Sequence, residues 1–243
     1  FAFASDLLLR PQQLMPTRFN SVVSAHRVFD TRRFTVEEFD AIRRLVDGAT
    51  LNDAVLAVCG GALRSHLQAL GELPDGSLSA LTPMLQPGRA ALADHAPQVS
   101  WLRILLGTDI ADPVQRLAAV RAQTASSVSA TDGATDSASA DSQHLATATL
   151  AMSGKAQGLL GLGSARFAAA ASCTIANVAG PNVPLYLNGA RMTYFSAIMP
   201  ISDGMGLVFA VTSYDGRIII SPTSCRELVP DPEGFTQQLR DSF

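Results

Sequence analysis

The side chains that could serve as a general acid or base near neutral pH are four isolated histidines, His26, His66, His95 and His144. None is adjacent to another histidine. His26 lies in a run of strand-forming residues, from which it could reach a cleft or be exposed to solvent. His66 is placed on the polar side of a helix, where we expect it to be solvated. Their spacing therefore indicates no catalytic pair.

An amide and a carboxylate, Asn52 and Asp53, open the most clearly patterned helix of the chain. Asp53 is three residues after Thr50, so it can bond back to that capping threonine and favour the helix dipole. Asn52 is either a solvated first-turn residue or a donor to a ligand. Asp109 and Asp112 resemble a carboxylate pair, but a loop explains Asp109 and helix capping explains Asp112.

Composition excludes several classes of site. The three cysteines are far apart, odd in number and not spaced as metal ligands, so no metal is expected and a reducing, cytoplasmic compartment is favoured. The net charge of −3 and the scattered basic residues argue against nucleic acid as a partner. The glycines of residues 158–163 lack the following Lys and Ser or Thr of a phosphate loop. Small or lipidic ligands remain open.

Four helices are predicted from apolar periodicity and capping residues. They are expected over residues 35–46, from Thr50, from Asp112-Pro113 and from Asp231-Pro232. Within the second helix, Gly60 and Gly61 cost helix stability, so another backbone is expected to approach them closely. Gly71 is the expected carboxy-terminal cap of that helix.

Strands are predicted where short apolar runs are bounded by turn residues. The expected ranges are residues 19–29, 78–85, 99–106, 173–178, 183–187, 191–198, 206–214 and 217–221. Asp215-Gly216 between two such runs predicts a tight hairpin with a type I′ turn. With the helices, these strands predict an α/β chain with a mixed sheet and flanking helices. No uninterrupted apolar run reaches the roughly 18 residues of a membrane span, although peripheral contact stays open.

The 243 residues, of which 47% are hydrophobic, suffice for a sizeable core. We expect one domain over residues 17–243, preceded by a linker at 1–16 that carries Pro11 and Pro16. A flexible Ala/Ser/Thr-rich segment is expected at 122–153. Residues 154–171 form either a packed helix or an apolar helical hairpin. Because the chain starts on Phe1 and not on methionine, we expect a fragment of a longer protein.

Several stretches, in this order, resemble the carboxy-terminal half of the wax ester synthase/diacylglycerol acyltransferase family. The Phe19-Asn20 pair and Arg27 are similar to the family's entry strand. The four main stretches are TLNDAVLAVCGGALR at residues 50–64, GTDIADPVQRL at 107–117, IANVAGPNVPLYLNGA at 175–190 and SYDG at 213–216. The resemblance thus covers most of the chain after about residue 16.

The resemblance implies a fold like that of chloramphenicol acetyltransferase, in which two related α/β halves enclose a channel for the acceptor and acyl-CoA. This chain would be the second half. The family's general base is the second histidine of a motif with two histidines, three variable residues, aspartate and glycine. That motif is absent from the sequence. The resemblance therefore implies that an amino-terminal half supplies the catalytic histidine.

The sequence departs from the family pattern at three places. Ala179 replaces the proline of an Asn-Val-Pro-Gly-Pro turn, and Ala96-Pro97 replaces an expected Gly-Asn. The segment TPMLQPGR at residues 82–89 is only loosely similar to a Pro-Val-Ser-Leu-Arg strand end.

The resemblance also implies which residues contribute here. No catalytic residue is expected in this chain; Asn52 is a supporting candidate, and the candidates for substrate binding are Asn52, Asn177, Gly180 and Tyr214. Asn177 and Gly180 either line the channel with backbone amides or form a simple turn, and Tyr214 either contacts the ligand through its hydroxyl or serves only the hairpin. No cofactor is expected, because acyl-CoA is a co-substrate. The implied partners are the amino-terminal half, acyl-CoA and a long-chain alcohol or diacylglycerol. Contact with a membrane or lipid droplet is a further expectation.

Three functions stay open at this point. The first is an O-acyltransferase component that transfers a fatty acyl group from acyl-CoA in wax ester or triacylglycerol synthesis, inactive as the isolated chain. The second is a non-catalytic lipid-binding or interaction module with the same fold. The third is half of a condensation-type acyltransferase that uses carrier-bound substrates.

Overall fold

Seven strands of the chain form one mixed sheet in the computed structural model, which describes residues 15–85, 99–132 and 171–243. The strands are β1 (Arg27–Phe29), β2 (Arg32–Thr35), β3 (Ser79–Leu85), β4 (Val99–Leu105), β5 (Cys173–Ala179), β8 (Val208–Tyr214) and β9 (Arg217–Cys225). Their order is β1-β9-β8-β5-β3-β4, and β2 also pairs with β9. The pairs β3–β5 and β5–β8 are parallel and the others are antiparallel.

Within the described residues, four α-helices and a separate hairpin accompany the sheet. The helices are α1 (Val36–Arg43), α2 (Leu51–Ala69), α3 (Pro113–Asp132) and α4 (Pro232–Asp241). The hairpin consists of β6 (Tyr186–Leu187) and β7 (Ala190–Arg191). Among the described residues, no helix combines the length and the hydropathy needed to cross a bilayer.

Helix α2 begins and ends as its sequence predicts. The Thr50 hydroxyl accepts a hydrogen bond from the Asp53 amide at 3.1 Å, and the Asp53 carboxylate accepts one from the Thr50 amide at 2.8 Å. At the other end Gly71 has φ +68°, and the Glu72 amide donates to the Leu67 carbonyl. Both termini thus satisfy backbone groups that the helix leaves unpaired.

The glycine pair of α2 lies where two other parts of the chain pass closely. A Cβ at residue 60 would overlap the carbonyl oxygen of Leu106, and one at residue 61 would lie 2.6 Å from Nη1 of Arg116. The predicted close backbone approach is therefore confirmed at Gly60. At Gly61 the neighbour is a side chain.

The core lies between the sheet and helices α2 and α4. Phe209 of β8 and Phe235 of α4 are both fully buried, with ring centroids 5.9 Å apart. Leu56 and Leu63 of α2 belong to the same buried cluster. The apolar stripes predicted for α2 and α4 therefore face one core.

The β8–β9 hairpin confirms the turn predicted at Asp215-Gly216. These residues have φ +46° and +76°, as a type I′ turn requires, and Tyr214 pairs with Arg217 across it. The starts predicted for α1, α3 and α4 and the strands β3, β4, β5 and β8 are also confirmed within a few residues. Strand β9 runs on to Cys225, beyond the predicted end at residue 221.

The strand predicted over residues 19–29 is wrong except at its end. The chain makes a 3₁₀ turn at Arg18–Asn20 and becomes β1 only at Arg27. The side-chain amide of Asn20 donates to the carbonyl oxygens of Ala171 and Gly204, which holds the turn in place, and Val22 is 78% exposed. Tertiary hydrogen bonds therefore outweigh the strand-forming composition of these residues. The next strand, β2 at Arg32–Thr35, was not predicted from the sequence.

Other predicted ranges are shortened or lie partly outside the described residues. The strands expected at 183–187 and 191–198 reduce to β6 and β7, because in the described part of the chain this hairpin pairs only with itself. Residues 122–132 of the expected flexible segment continue helix α3. The remainder of that segment, nearly all of residues 154–171 and most of the 1–16 linker lie outside the described residues.

Candidate functional site

Three of the four predicted site residues come together where β5 and β8 end. The two strands run in parallel, with Asn177 beside Val211 and Ala179 beside Ser213. The Gly180 amide then donates to Oγ of Ser213 at 3.3 Å. Since Tyr214 follows Ser213 directly, Asn177, Gly180 and Tyr214 occupy one end of the sheet.

Asn177 is exposed at this end. Strand β3 pairs with β5 only at Cys173 and Thr174, so beyond them β5 has a described neighbour, β8, on one side only. Asn177 and the two residues after it are all exposed. An amide side chain here can donate to or accept from a bound molecule.

Gly180 is held in a space that admits no side chain. A Cβ at this position would overlap the carbonyl oxygen of Ser213 and lie 2.8 Å from the Phe195 ring. Glycine therefore allows the chain leaving β5 to pass against the end of β8. The Asp215 amide fixes the next residue by donating to the Pro181 carbonyl at 3.1 Å.

Tyr214 is buried, and its hydroxyl is used within the chain. The Leu185 amide donates to this hydroxyl at 2.6 Å, and the hydroxyl donates to the Met192 carbonyl at 3.2 Å. Its ring meets that of Phe195 edge-on, with centroids 6.2 Å apart. Tyr214 thus fastens both sides of the β6–β7 hairpin to the end of β8.

Asn52 belongs to a different element and is half-buried in the first turn of α2. Its neighbour Asp53 is 1% exposed and engages both carboxylate oxygens. One accepts from the Thr50 amide, and the other accepts from the Thr124 hydroxyl at 2.8 Å. The predicted capping contact of Asp53 is confirmed, and the bond to Thr124 also joins α2 to α3.

The expectation that His66 is solvated is wrong. Its side chain is buried between Phe19 and Phe235, with ring centroids 6.3 and 4.7 Å away. Burial and then the nearby Arg18 guanidinium lower its pKa, so the neutral ring is favoured. In the sequence, the signal for burial of His66 was its position three residues after the apolar Leu63, on the same face of the helix.

The other histidines offer no catalytic arrangement in the described part of the chain. His26 is exposed, and its Nδ1 lies 3.3 Å from a carboxylate oxygen of Glu227. His95 and His144 lie outside the described residues.

The stretch at residues 107–117 is organised by a buried arginine that the sequence did not single out. Arg116 donates to the carbonyl oxygens of Gly107, Ile110 and Ala111, and burial lowers its pKa. Arg64 donates to the Thr108 carbonyl at 2.7 Å. These contacts hold the loop before α3 against α2, which is a structural role.

The cysteines are buried in the apolar core. All three thiols are free, and burial raises the pKa of Cys59 and brings that of Cys173 to about 12. Protonated, inaccessible thiols are poor nucleophiles. The described cysteines therefore act as small apolar core residues.

An open cleft of about 640 Å³ lies between α1 and the start of α2. Its lining includes Asp40, Arg43, Arg44 and Asp47 and reaches Thr50 and Leu51. Arg43 is already paired with Asp40 at 2.5 Å. None of the four predicted site residues lines this cleft.

Comparison with known families finds a match over the carboxy-terminal part of the chain. Residues 97–243 match the family described as the WS/DGAT C-terminal domain. This range contains the end of β5 and the β8–β9 hairpin, and it begins after α2.

Curated relatives extend the similarity toward the amino end. A Mycobacterium tuberculosis protein with a provisional diacylglycerol O-acyltransferase name is 30% identical over 227 residues, which cover 93% of this chain and 49% of the relative. The O-acyltransferase WSD of Acinetobacter baylyi is 29% identical over 224 residues, with 92% and 47% covered. The chain thus spans about half the length of these curated relatives.

Solved structures support the fold class. The wax ester synthase/diacylglycerol acyltransferase from Marinobacter aquaeolei superposes with a TM-score of 0.74 at 22% identity, over 99% of this chain and 54% of that one. The condensation enzyme VibH superposes with a TM-score of 0.50 at 11% identity, over 98% and 50%. The predicted mixed sheet with flanking helices, of the chloramphenicol acetyltransferase type, is therefore confirmed.

Proposed function

Because the chain belongs to the wax ester synthase/diacylglycerol acyltransferase family, we propose that it works as the carboxy-terminal half of an acyl-CoA-dependent O-acyltransferase. In the proposed reaction, the hydroxyl oxygen of a long-chain alcohol or diacylglycerol attacks the thioester carbonyl of acyl-CoA. The carbon–sulfur bond breaks, and the proton removed from the hydroxyl by a base passes to the CoA thiolate. The products are an ester and free CoA.

The observation that carries this proposal is the open end of β5, with Asn177 exposed and Gly180 packed against β8. This end lies within the range that matches the family. In the proposed enzyme it forms one wall of the substrate channel. The Asn177 amide there donates to the thioester carbonyl, where negative charge develops during attack.

The general base of the proposed reaction belongs to an amino-terminal half. The chain has no two adjacent histidines, and it corresponds to about half of its curated relatives. Asn52, half-buried at the start of α2, is proposed as a supporting residue that orients the base. No cofactor enters this scheme, and the isolated chain is expected to be inactive.

Co-expression with an amino-terminal half tests the proposal. The partner is the part of the Acinetobacter relative that precedes its similarity to this chain, and the assay follows ester formation from labelled acyl-CoA with an alcohol or diacylglycerol. We expect ester from the purified complex and none from either half alone. A well-folded complex without ester formation would contradict the enzyme and favour the lipid-binding module.

A substitution of Asn177 tests the proposed site. Asn177→Ala is expected to lower kcat of the complex about 100–1,000-fold, because removal of one oxyanion donor costs on this order. Gln68→Ala is the control, since Gln68 is another exposed amide side chain and lies on α2, outside the proposed site. Equal rates for both variants would remove Asn177 from the proposed site.

The acyl donor distinguishes a condensation-type enzyme from the proposed acyl-CoA-dependent enzyme. A condensation-type enzyme takes its acyl group from a carrier protein, and the likeness to VibH shows the fold alone. The same complex is therefore assayed with acyl-CoA and with a carrier-bound acyl group. Turnover restricted to the carrier-bound donor would replace the acyl-CoA reaction.

Attachment to a membrane or lipid droplet from the cytoplasmic side remains part of the proposal. Flotation of the active complex with vesicles that contain diacylglycerol checks it. Recovery of the complex only in the vesicle-free fraction would contradict attachment to a lipid surface.

A further inference from the structure

The open cleft between α1 and the start of α2 carries four charged side chains in its lining. Two are the successive arginines Arg43 and Arg44 at the end of α1, and the other two are the carboxylates Asp40 and Asp47. The volume of about 640 Å³ lies in the range of pockets that hold small-molecule ligands. The size of the cleft therefore suits a group such as a nucleotide.

A third guanidinium reaches the loop between α1 and α2 from helix α3. Nη2 of Arg121 lies 3.4 Å from the position that a Cβ at residue 48 would take. Gly48 belongs to the lining of the cleft and has φ +69°, which glycine adopts without strain. Because residue 48 has no side chain, the Arg121 guanidinium lies against the loop that walls the cleft.

Ion pairing neutralises only one of these three guanidiniums. Arg43 pairs with Asp40 at 2.5 Å. In the parts of the chain that the structure describes, Arg44, Arg121 and Asp47 belong to no ion pair. Two unpaired positive charges thus stand against one unpaired negative charge. An anion that binds between the arginines gains charge-assisted hydrogen bonds.

Helix α1 places this cleft at the end of the sheet that carries the candidate site. The amide of Val36, the first residue of α1, donates to the Gly216 carbonyl at 3.0 Å. Gly216 lies in the turn that directly follows Tyr214 of β8. Helix α1 therefore starts beside the strand end where Gly180 packs.

Helix α2 begins at the same end of the sheet. It runs antiparallel to α4, because Phe235 near the start of α4 meets His66, whereas the Ser242 hydroxyl after its end donates to the Val58 carbonyl. The ring of Phe243, the next residue, then lies 5.2 Å from that of Phe34, close to the start of α1. The first turn of α2, with Asn52, precedes Val58 and so lies on this side.

We propose that the cleft binds the phosphate groups of acyl-CoA, an inference that deepens the proposed function and rests on it. The nucleotide end of CoA carries a pyrophosphate and a 3′-phosphate, and the planar guanidinium of arginine binds such oxyanions in bidentate geometry. Arg44 binds these phosphates from α1 and Arg121 binds them from α3. The pantetheine chain then passes the first turn of α2 toward the end of β5.

Calorimetric titration with CoA tests the cleft on the full chain, free and in complex with the amino-terminal half of the Acinetobacter relative. Arg44→Ala and Arg121→Gln are each expected to raise the Kd for CoA at least about tenfold, because each removes a charge-assisted contact. Arg226→Ala is the matched control, since Arg226 is an exposed arginine outside the cleft. Urea midpoints equal to that of the unaltered chain show that the variants are folded.

A substitution of the opposing carboxylate gives a change in the opposite direction. Asp47→Asn removes a negative charge from the cleft and is expected to lower the Kd for CoA about two- to fivefold. Weaker binding by this variant would contradict phosphate binding in the cleft.

Steady-state kinetics of the complex separate the cleft from the chemical step. The phosphates are remote from the thioester, so Arg44→Ala is expected to raise KM for acyl-CoA about tenfold and to change kcat less than about twofold. A loss of kcat at unchanged KM would overturn the assignment.

The outcomes distinguish this inference from the proposed function. Equal CoA binding by the arginine variants and the control overturns the cleft as a CoA site, as does no CoA binding by the unaltered chain, free and in complex. Arginine-dependent binding to vesicles that contain phosphatidate, with CoA binding unaffected, would assign the cleft to a lipid phosphate instead. Arginine-dependent CoA binding by a complex that makes no ester supports the cleft and contradicts the proposed reaction.

Discussion

Asp53 has the clearest structural assignment among the motif residues. It lies in the Asn-Asp pair that resembles the family, yet both of its carboxylate oxygens bind groups of this chain, the Thr50 amide and the Thr124 hydroxyl. Asn52 lies one position earlier and is half-buried. The same short motif therefore contains one residue committed to structure and one available for function.

Replacement of Asp53 by alanine tests that assignment. Asp53→Ala leaves the Thr50 amide without its acceptor and removes the bond from Thr124, whose hydroxyl keeps the Arg121 carbonyl as an acceptor at 3.0 Å. We therefore expect the free energy of unfolding to fall by about 1–2 kcal/mol. Urea denaturation measures the change. The exposed Asp47 provides the control, and Asp47→Ala is expected to change stability by less than about 0.5 kcal/mol. Equal effects of the two variants would contradict the structural role of Asp53.

Helix α2 shows how an element can be shaped by its neighbours against its own propensity. Gly60 weakens the isolated helix, but it lets the carbonyl of Leu106 approach the helix backbone. Next to this contact, Arg116 and Arg64 bind carbonyl oxygens of the loop that follows β4. The helix, the end of β4 and the start of α3 are therefore packed as one unit.

Substitution of Gly60 by alanine separates propensity from packing. Helix propensity alone predicts stabilisation by about 1 kcal/mol, whereas overlap with the Leu106 carbonyl predicts a net loss of about 1–3 kcal/mol. We expect the loss, measured as a lower urea midpoint. Ser65→Ala, at an exposed position of the same helix, is the control and is expected to be neutral or slightly stabilising. A Gly60→Ala protein as stable as the original would contradict the close approach.

At the scale of the whole molecule, the described part of the chain has an exposed sheet end at β5 and a closely packed cluster around His66. That end combines Asn177 and Gly180 with exposed apolar residues of the segment that follows, such as Leu187. The cluster gathers the 3₁₀ turn, α2 and α4 around His66, with Phe19 and Phe235 against its ring. The neutral form of this histidine is part of the packed core.

Global stability is therefore expected to depend on the protonation of His66. Its pKa is lowered in the folded chain, so below the unfolded pKa of about 6.5 the unfolded state takes up a proton more readily. Stability contributed by the neutral ring is present above that pH and is lost as the pH falls toward the folded pKa. His66→Leu should reduce the drop in urea midpoint between about pH 7.5 and pH 5.5. His26→Leu, at an exposed histidine, is the control, and an unaltered drop in His66→Leu would contradict this account.

Local residue patterns were sufficient to predict the elements whose signals lie close together in sequence. Thr50 with Asp53, Asp112-Pro113 and Asp231-Pro232 predicted helix starts, and Asp215-Gly216 predicted a hairpin that the structure confirms. Capping and turn formation involve residues within about four positions of each other, so they can be identified without tertiary information. The family resemblance and the mixed fold class were likewise available from the sequence.

Only the tertiary structure decided which side chains are buried and which meet across the chain. His66 was expected in solvent because its own helix offers a polar side, but Phe19 and Phe235 arrive from distant segments and cover it. Residues 19–26 have strand-forming side chains, yet Asn20 binds carbonyls more than 150 positions away, and the chain turns instead. The sequence by itself determined the family, the main elements and the lack of a histidine pair. The grouping of Asn177, Gly180 and Tyr214, and the engagement of the Tyr214 hydroxyl, were decided by strand pairing and packing between residues far apart in the chain.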